Sequence, residues 1–306
     1  MRWNTLHARP PCIIAHRGAS GYRPEHTLDA YLLASVQGAD AVEPDVVMSR
    51  DGVLFVRHDL GLNDSTDIAT RREFASRARD IAGKRDWWIS DFDATEIDTL
   101  RAKQPAATRD ARYDGHFIVP RFSQLLDVVA EAGRQRGRPL IVDIEMKHPE
   151  YFLALGHNMA GAVAAELNMR GLAGAEAPVW LESFDHAALR AAHARCGNRA
   201  FALFDVAPTE AQLDEAATWT DGIAPLKFLL WDAHGRDNGL IAAAHARGLE
   251  VHAWTFREDR SPAPFASPRD ELAAAMRSGV DALFCDFPDV ALALRSELEA
   301  EIDGSA

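Results

Sequence analysis

Short apolar runs alternate with longer stretches of helical period along most of this chain. Residues 13–16, 41–47, 53–58, 140–145, 179–181, 200–204, 222–224, 251–254 and 282–285 read as strands. Residues 27–37, 122–136, 151–169, 186–195, 210–217, 239–247, 269–277 and 290–301 read as helices, with Thr27 as a cap for the first. Gly38, Gly171, Gly248 and Gly279 fall just past helix ends, where a left-handed residue closes the last turn. Strand–helix alternation predicts parallel pairing. With 53–58 taken as a hairpin extension of the second strand, eight strand–helix units remain. The expected fold is therefore α/β, a (β/α)8 TIM barrel over residues 1–306. A doubly wound sheet is the alternative, but no glycine-rich phosphate loop follows the first strand.

One segment breaks the rhythm. Residues 59–118 are polar and rich in Asp, Arg and Thr, carry Trp87-Trp88 and suggest one short helix over 94–101. A loop this long in a compact domain is usually functional. It is expected to be an insertion after strand 2 that caps the barrel there, so that removing part of 71–84 should change substrate preference more than stability.

The strand ends carry the chemistry. His16-Arg17-Gly18 closes the first apolar run, Glu43-Pro44-Asp45 falls in the second, His58-Asp59 closes the hairpin, and Glu145-Met146-Lys147 closes a later run. Active sites of such barrels lie at the C-terminal ends of their strands. Glu43 and Asp45 are two apart on a strand and share a face. Carboxylates this close repel unless a cation lies between them. With Glu145 they offer a hard oxygen shell, which suits Mg²⁺ or Ca²⁺ over softer metals. His16 and His58 are the candidate acid and base, since imidazole titrates near neutrality. Arg17 and Lys147 would hold phosphate oxygens. Together they form the inventory of metal-assisted phosphodiester cleavage. His26, beside Glu25, reads as a supporting residue or a helix-cap neighbour. Phe184, Trp254 and Phe228 are candidate pocket walls. Asp143 shares a face with Glu145 and is expected to be a hydrogen-bonded interior group. Pro44 removes a backbone donor between the two ligands.

Composition narrows the partners. The chain has 306 residues, 47% hydrophobic and 26% charged, with a net charge of −13. That acidity argues against nucleic acid or anionic lipid surfaces, which require a cationic footprint. A small-molecule substrate remains, because a metal inverts the local field. Cys12, Cys196 and Cys285 show no metal-ligand spacing, and free thiols are expected. No stretch has the length of a membrane span. Residues 1–7 have no apolar signal-peptide core, so a cytoplasmic location is expected, with a periplasmic one left open if a leader has been removed. The sequence leaves the oligomeric state open.

The chain resembles the glycerophosphodiester phosphodiesterase family. The matching residues are His16-Arg17-Gly18-Ala19, Pro24-Glu25-His26-Thr27, Glu43-x-Asp45-Val46, Asp51-Gly52, His58-Asp59 and Glu145-x-Lys147. Later come Glu182-Ser183-Phe184-Asp185, Trp254-Thr255, Gly279-Val280-Asp281 and Asp286-Phe287-Pro288-Asp289. The insertion resembles that of the branch acting on free glycerophosphodiesters. The resemblance implies one Mg²⁺ or Ca²⁺ on Glu43, Asp45 and Glu145, an acid/base pair of His16 and His58, and phosphate contacts from Arg17 and Lys147. It places Glu25 behind these groups. The implied reaction converts glycerophosphocholine or glycerophosphoethanolamine to sn-glycerol 3-phosphate and an alcohol, with a neighbouring glycerol hydroxyl attacking phosphorus before water opens the cyclic product. A phospholipase D-like lipid enzyme is one alternative. A non-catalytic phosphodiester-binding barrel is another, although such a protein should have lost a histidine or a ligand.

Overall fold

A computed structural model describes residues 2–260 and 263–304; Met1 and residues 305–306 of the expected 1–306 span lie outside the described residues. In chain order the first elements are β1 (Cys12–His16), α1 (Leu28–Gln37), β2 (Ala41–Glu43), β3 (Asp45–Met48) and β4 (Leu54–Val56). The insertion contributes β5 (Arg79–Ile81), β6 (Lys84–Asp86) and α2 (Ala94–Ile97). Next come α3 (Phe122–Arg136), β7 (Ile141–Met146), α4 (Pro149–Ala154), α5 (Met159–Met169), β8 (Val179–Ser183), α6 (His186–Cys196), β9 (Arg199–Phe204) and α7 (Glu210–Ala216). The chain ends with β10 (Gly222–Pro225), α8 (Leu240–His245), β11 (Glu250–Phe256), α9 (Pro268–Ser278), β12 (Ala282–Cys285) and α10 (Pro288–Gly304).

With β2 and β3 counted as one strand, eight parallel strands close into a barrel in the order β1, β2/β3, β7, β8, β9, β10, β11, β12, and β12 returns to β1. β4 pairs antiparallel with β3, which is the expected hairpin extension. The predicted second strand is split at Pro44. Proline has no N–H for the ladder, yet its carbonyl still accepts the Glu145 N–H at 3.0 Å. The predicted helix 151–169 is also two helices, separated at Gly156, whose φ is +88°.

The alternation of side chains along each strand explains how a polar mouth sits on an apolar floor. Ile14, Ala41, Trp180, Phe201, Leu203, Ala224, Ala282 and Phe284 form one buried cluster inside the barrel. Two residues further along β1, β2 and β8, the same face carries His16, Glu43 and Glu182. Larger clusters pack the outer strand faces against the helices. Thr27 Oγ1 accepts the Ala30 N–H at 3.2 Å and caps α1 as expected, a contact typically contributing about 1 kcal/mol. Gly38, Gly171, Gly248 and Gly279 all have positive φ.

The insertion packs Leu62, Ile68, Phe74, Ile89 and Phe92 into the same cluster as Val47 and Phe55. It thus covers the β3–β4 hairpin. Cys12, Cys196 and Cys285 are free thiols.

Candidate active site

The loop after β1 is the most constrained backbone at the mouth. Arg17 and Gly18 both have positive φ, +58° and +82°, and a Cβ on Gly18 would come within 2.9 Å of Ala30. Only glycine fits there. This turn aims the Arg17 N–H at the Glu43 carboxylate, Oε2 at 2.8 Å.

Strand register then assembles one layer of charge. His16 lies opposite Glu43, Asp45 opposite Glu145, and Glu145 opposite Glu182. Glu43, Asp45 and Glu145 are buried and present carboxylate oxygens that all lie within 4.8 Å of one another. Glu43 Oε1 and Asp45 Oδ1 are buried and lack a hydrogen-bond partner. Two orphaned anionic oxygens beside a third carboxylate are what a hard divalent cation satisfies, so this donor set fits Mg²⁺ or Ca²⁺.

Each ligand candidate has its own support. His26 Nε2 donates to Asp45 Oδ2 at 2.8 Å, while His26 Nδ1 sits 2.7 Å from the Tyr31 hydroxyl. Lys147 Nζ donates to Glu145 Oε1 at 2.7 Å and lies 3.9 Å from Asp45 Oδ1. Arg17 Nη1 donates to Glu25 Oε2 at 2.9 Å. His26 and Glu25 thus stand behind the cluster. Burial opposes the Asp45 charge, but Lys147, His58, His26 and Arg17 outweigh it and hold that carboxyl well below its usual range. Burial, Asp45 and Glu145 push Glu43 up. Burial likewise pushes Glu145 up to about 8, against the pull of Lys147. Charge on all three together calls for a cation.

Both histidines lie on one cavity of about 390 Å³, with Arg17, Glu43, Glu145 and Lys147. Phe184, Trp254 and Phe228 line it as well, with Phe184 and Trp254 edge to face at 5.7 Å. Each imidazole is fixed by a carboxylate at Nδ1: His16 by Asp286 Oδ1 and His58 by Asp59 Oδ1, both at 2.7 Å. A carboxylate accepts, so Nδ1 carries the proton and Nε2 of a neutral ring carries the lone pair. Burial and Arg17 lower the His16 pKa to about 4, against the opposing pull of Asp286.

Several groups carry no role in the sequence reading, although Glu182 and Asp286 stand in its motifs. Asp286, Arg257, Lys227 and Glu182 all stand at this mouth; the last three line the cavity, and Asp286 anchors His16. Asp286 and Glu182 each follow or end an apolar run, the same signal that marks Glu145. One expectation needs correction. Asp143 is fully buried, but neither of its carboxylate oxygens has a hydrogen-bond partner, and burial pushes it up to about 7. Burial in the crowded barrel interior favours the neutral acid over the carboxylate there. The insertion packs its apolar side on the β3–β4 hairpin and supplies none of the residues lining the cavity.

A closed barrel with a carboxylate cradle, two oriented imidazoles and flanking cations at its C-terminal mouth defines a phosphodiester-cleaving class of protein. Residues 16–290 match the Glycerophosphoryl diester phosphodiesterase family. The chain belongs to that family and is an enzyme of its class. A glycerophosphodiester phosphodiesterase of Arabidopsis thaliana is 29% identical, over 92% of this chain and 85% of that protein. One from Haemophilus influenzae is 26% identical, over 94% and 90%. Among solved structures, a putative glycerophosphoryl diester phosphodiesterase from Silicibacter pomeroyi has a TM-score of 0.74 at 23% identity, covering 95% of this chain and 94% of that one. An Oleispira antarctica phosphodiesterase, solved with the product sn-glycerol-3-phosphate, has a TM-score of 0.71 at 21% identity, covering 95% and 99%. Among the described residues, no helix is long and apolar enough to cross a membrane.

Proposed function

We propose that the enzyme hydrolyses free glycerophosphodiesters, glycerophosphocholine and glycerophosphoethanolamine among them, to sn-glycerol 3-phosphate and the free alcohol. The observation that carries this reading is the three-carboxylate cradle with its orphaned oxygens, flanked on one cavity by two imidazoles already fixed at Nδ1. The family match and the product bound to the Oleispira antarctica neighbour support the substrate class.

Glu43, Asp45 and Glu145 would hold one Mg²⁺ or Ca²⁺. Bound there, the ion supplies Lewis-acid charge to the substrate oxygens. Arg17 and Lys147 take the non-bridging phosphate oxygens and offset charge that grows in the transition state. His16, kept neutral, takes the proton from the attacking hydroxyl at Nε2. His58, the more exposed of the two, delivers a proton to the departing alcohol oxygen. The roles reverse when water completes hydrolysis. Phe184, Trp254 and Phe228 wall the leaving-group side of the cavity.

³¹P and ¹H NMR of the products tests this bond choice. Glycerol 3-phosphate with free choline is expected from glycerophosphocholine. Phosphocholine with free glycerol, or intact substrate, would overturn the reading.

A further inference from the structure

The insertion lines none of the cavity, yet one of its side chains reaches the back of the site. Arg109 donates from Nη2 to Asp286 Oδ2 at 2.5 Å. Arg257 Nε donates to the same oxygen at 3.0 Å, while Asp286 Oδ1 accepts from His16 Nδ1. Three donors on two oxygens leave this carboxylate no freedom to turn. Arg109 itself is held firmly. Its Nε and Nη2 donate to the Asp259 carboxylate at 2.8 and 3.3 Å, and its Nη1 donates to the Ser20 carbonyl at 3.2 Å. Gln104, from the same stretch, donates to the Ser20 and Arg23 carbonyls at 3.2 and 3.3 Å. The side chain of Arg109 is 8% exposed, so this is a built contact rather than a surface pair.

We propose that Arg109 is a positioning residue for His16: through Asp286 it fixes the imidazole's orientation, which makes the insertion a brace for the catalytic histidine rather than a wall of the pocket. Two features separate it from Arg257. Arg257 lines the cavity and is within reach of substrate, whereas Arg109 is not a lining residue. Arg109 is also tied to the β1–α1 loop, so it links His16's anchor to the loop that carries Arg17. Ionic hydrogen bonds in a poorly solvated setting are the ones that hold geometry. A fixed Asp286 keeps the His16 proton on Nδ1 and aims Nε2 at the reacting hydroxyl.

The inference rests on the functional reading for its effect on turnover, but its structural half is testable without substrate. The His16 Nδ1 proton would be followed by NMR in the full-length wild type, Arg109→Ala, Arg109→Lys and Asp259→Asn, each checked by thermal melting. Arg109→Ala is expected to broaden or shift that resonance. With glycerophosphocholine it should lower kcat roughly 10–100-fold while KM changes little. Arg109→Lys should restore part of both, because an ammonium still reaches one carboxylate oxygen. Asp259→Asn, which frees only the outer side of the guanidinium, should give a smaller effect in the same direction. If Arg109→Ala does not fold, the Lys and Asn variants carry the test. An unchanged His16 resonance in the folded variants overturns the inference, whatever the activity. A perturbed resonance in an enzyme that releases no glycerol 3-phosphate would leave the brace standing and overturn the functional reading instead.

Discussion

The two imidazoles at the mouth are held by the same device in different surroundings. His16 donates to Asp286, a residue 270 positions away, and the two side chains are only 12% and 3% exposed. His58 donates to its own neighbour Asp59, and those side chains are 32% and 47% exposed. Asp286 is fixed by two guanidinium groups as well. No arginine or lysine forms an ion pair with Asp59 among the described residues. The His16 side is thus rigid, dry and assembled from distant parts of the chain, whereas the His58 side is local and wetted. A rigid dry site suits a base that must stay neutral. A solvated site suits an acid that must be reloaded with a proton between turnovers.

Removing either ring should have the largest effect. His16→Ala and His58→Ala are each expected to lower kcat by about 10²–10⁴-fold, the usual contribution of acid/base catalysis, with melting temperatures close to wild type. Near-normal turnover in both variants would end the acid/base assignment. The carboxylates sharpen the contrast. Asp286→Asn should cost roughly 10–100-fold in kcat, since nothing else replaces a buried anionic acceptor. Asp59→Asn should cost clearly less, because water can stand in at a half-exposed site. Equal losses in steady-state kinetics would erase the difference between the two sides.

Between the histidines, Glu43→Gln removes one charge from the cradle. Calorimetric titration with Mg²⁺ or Ca²⁺ should show affinity weakened by about tenfold or more; unchanged affinity removes Glu43 from the ligand set. The His16 ring offers a pH test. Burial and Arg17 lower its folded pKa to about 4 from 6.5. The unfolded chain therefore binds the extra proton first. The neutral ring contributes stability in full above about pH 6.5, and this is lost as pH falls through 4. In the metal-free protein the His16 ring resonances should titrate near pH 4, and a midpoint at or above 6.5 contradicts the burial account. The smallest effect is expected from shortening the exposed β5–β6 hairpin. It supplies none of the lining residues, so relative rates on the two headgroups should move by less than about twofold, the scale of a surface change.

Most of the barrel was legible in the sequence because its signals are local. Short apolar runs locate β1, β7 and β12, and the charged residues that end such runs locate Glu43, Asp45 and Glu145 at the mouth. His58-Asp59 is visible for the same reason, since the ring and its anchor are adjacent. The His16 anchor was not visible. Asp286 appeared only as a motif residue, and Arg109 lies in a polar stretch with nothing to distinguish it from neighbouring arginines. Their meeting depends on barrel closure, which brings β12 beside β1, and on the path of the insertion, which no periodicity encodes. Asp143 was misjudged because a carboxyl in a barrel interior can lose its charge instead of finding a donor. The insertion was legible as a break in the strand–helix rhythm after the second strand, but its reach to Asp286 was not.

The most direct test of the account is release of glycerol 3-phosphate from glycerophosphocholine and glycerophosphoethanolamine after EDTA treatment, and again after Mg²⁺ or Ca²⁺ is restored. The carboxylate cradle predicts that activity disappears with EDTA and returns with one of the two ions. Undiminished release by the stripped enzyme, or none under any condition, would contradict it.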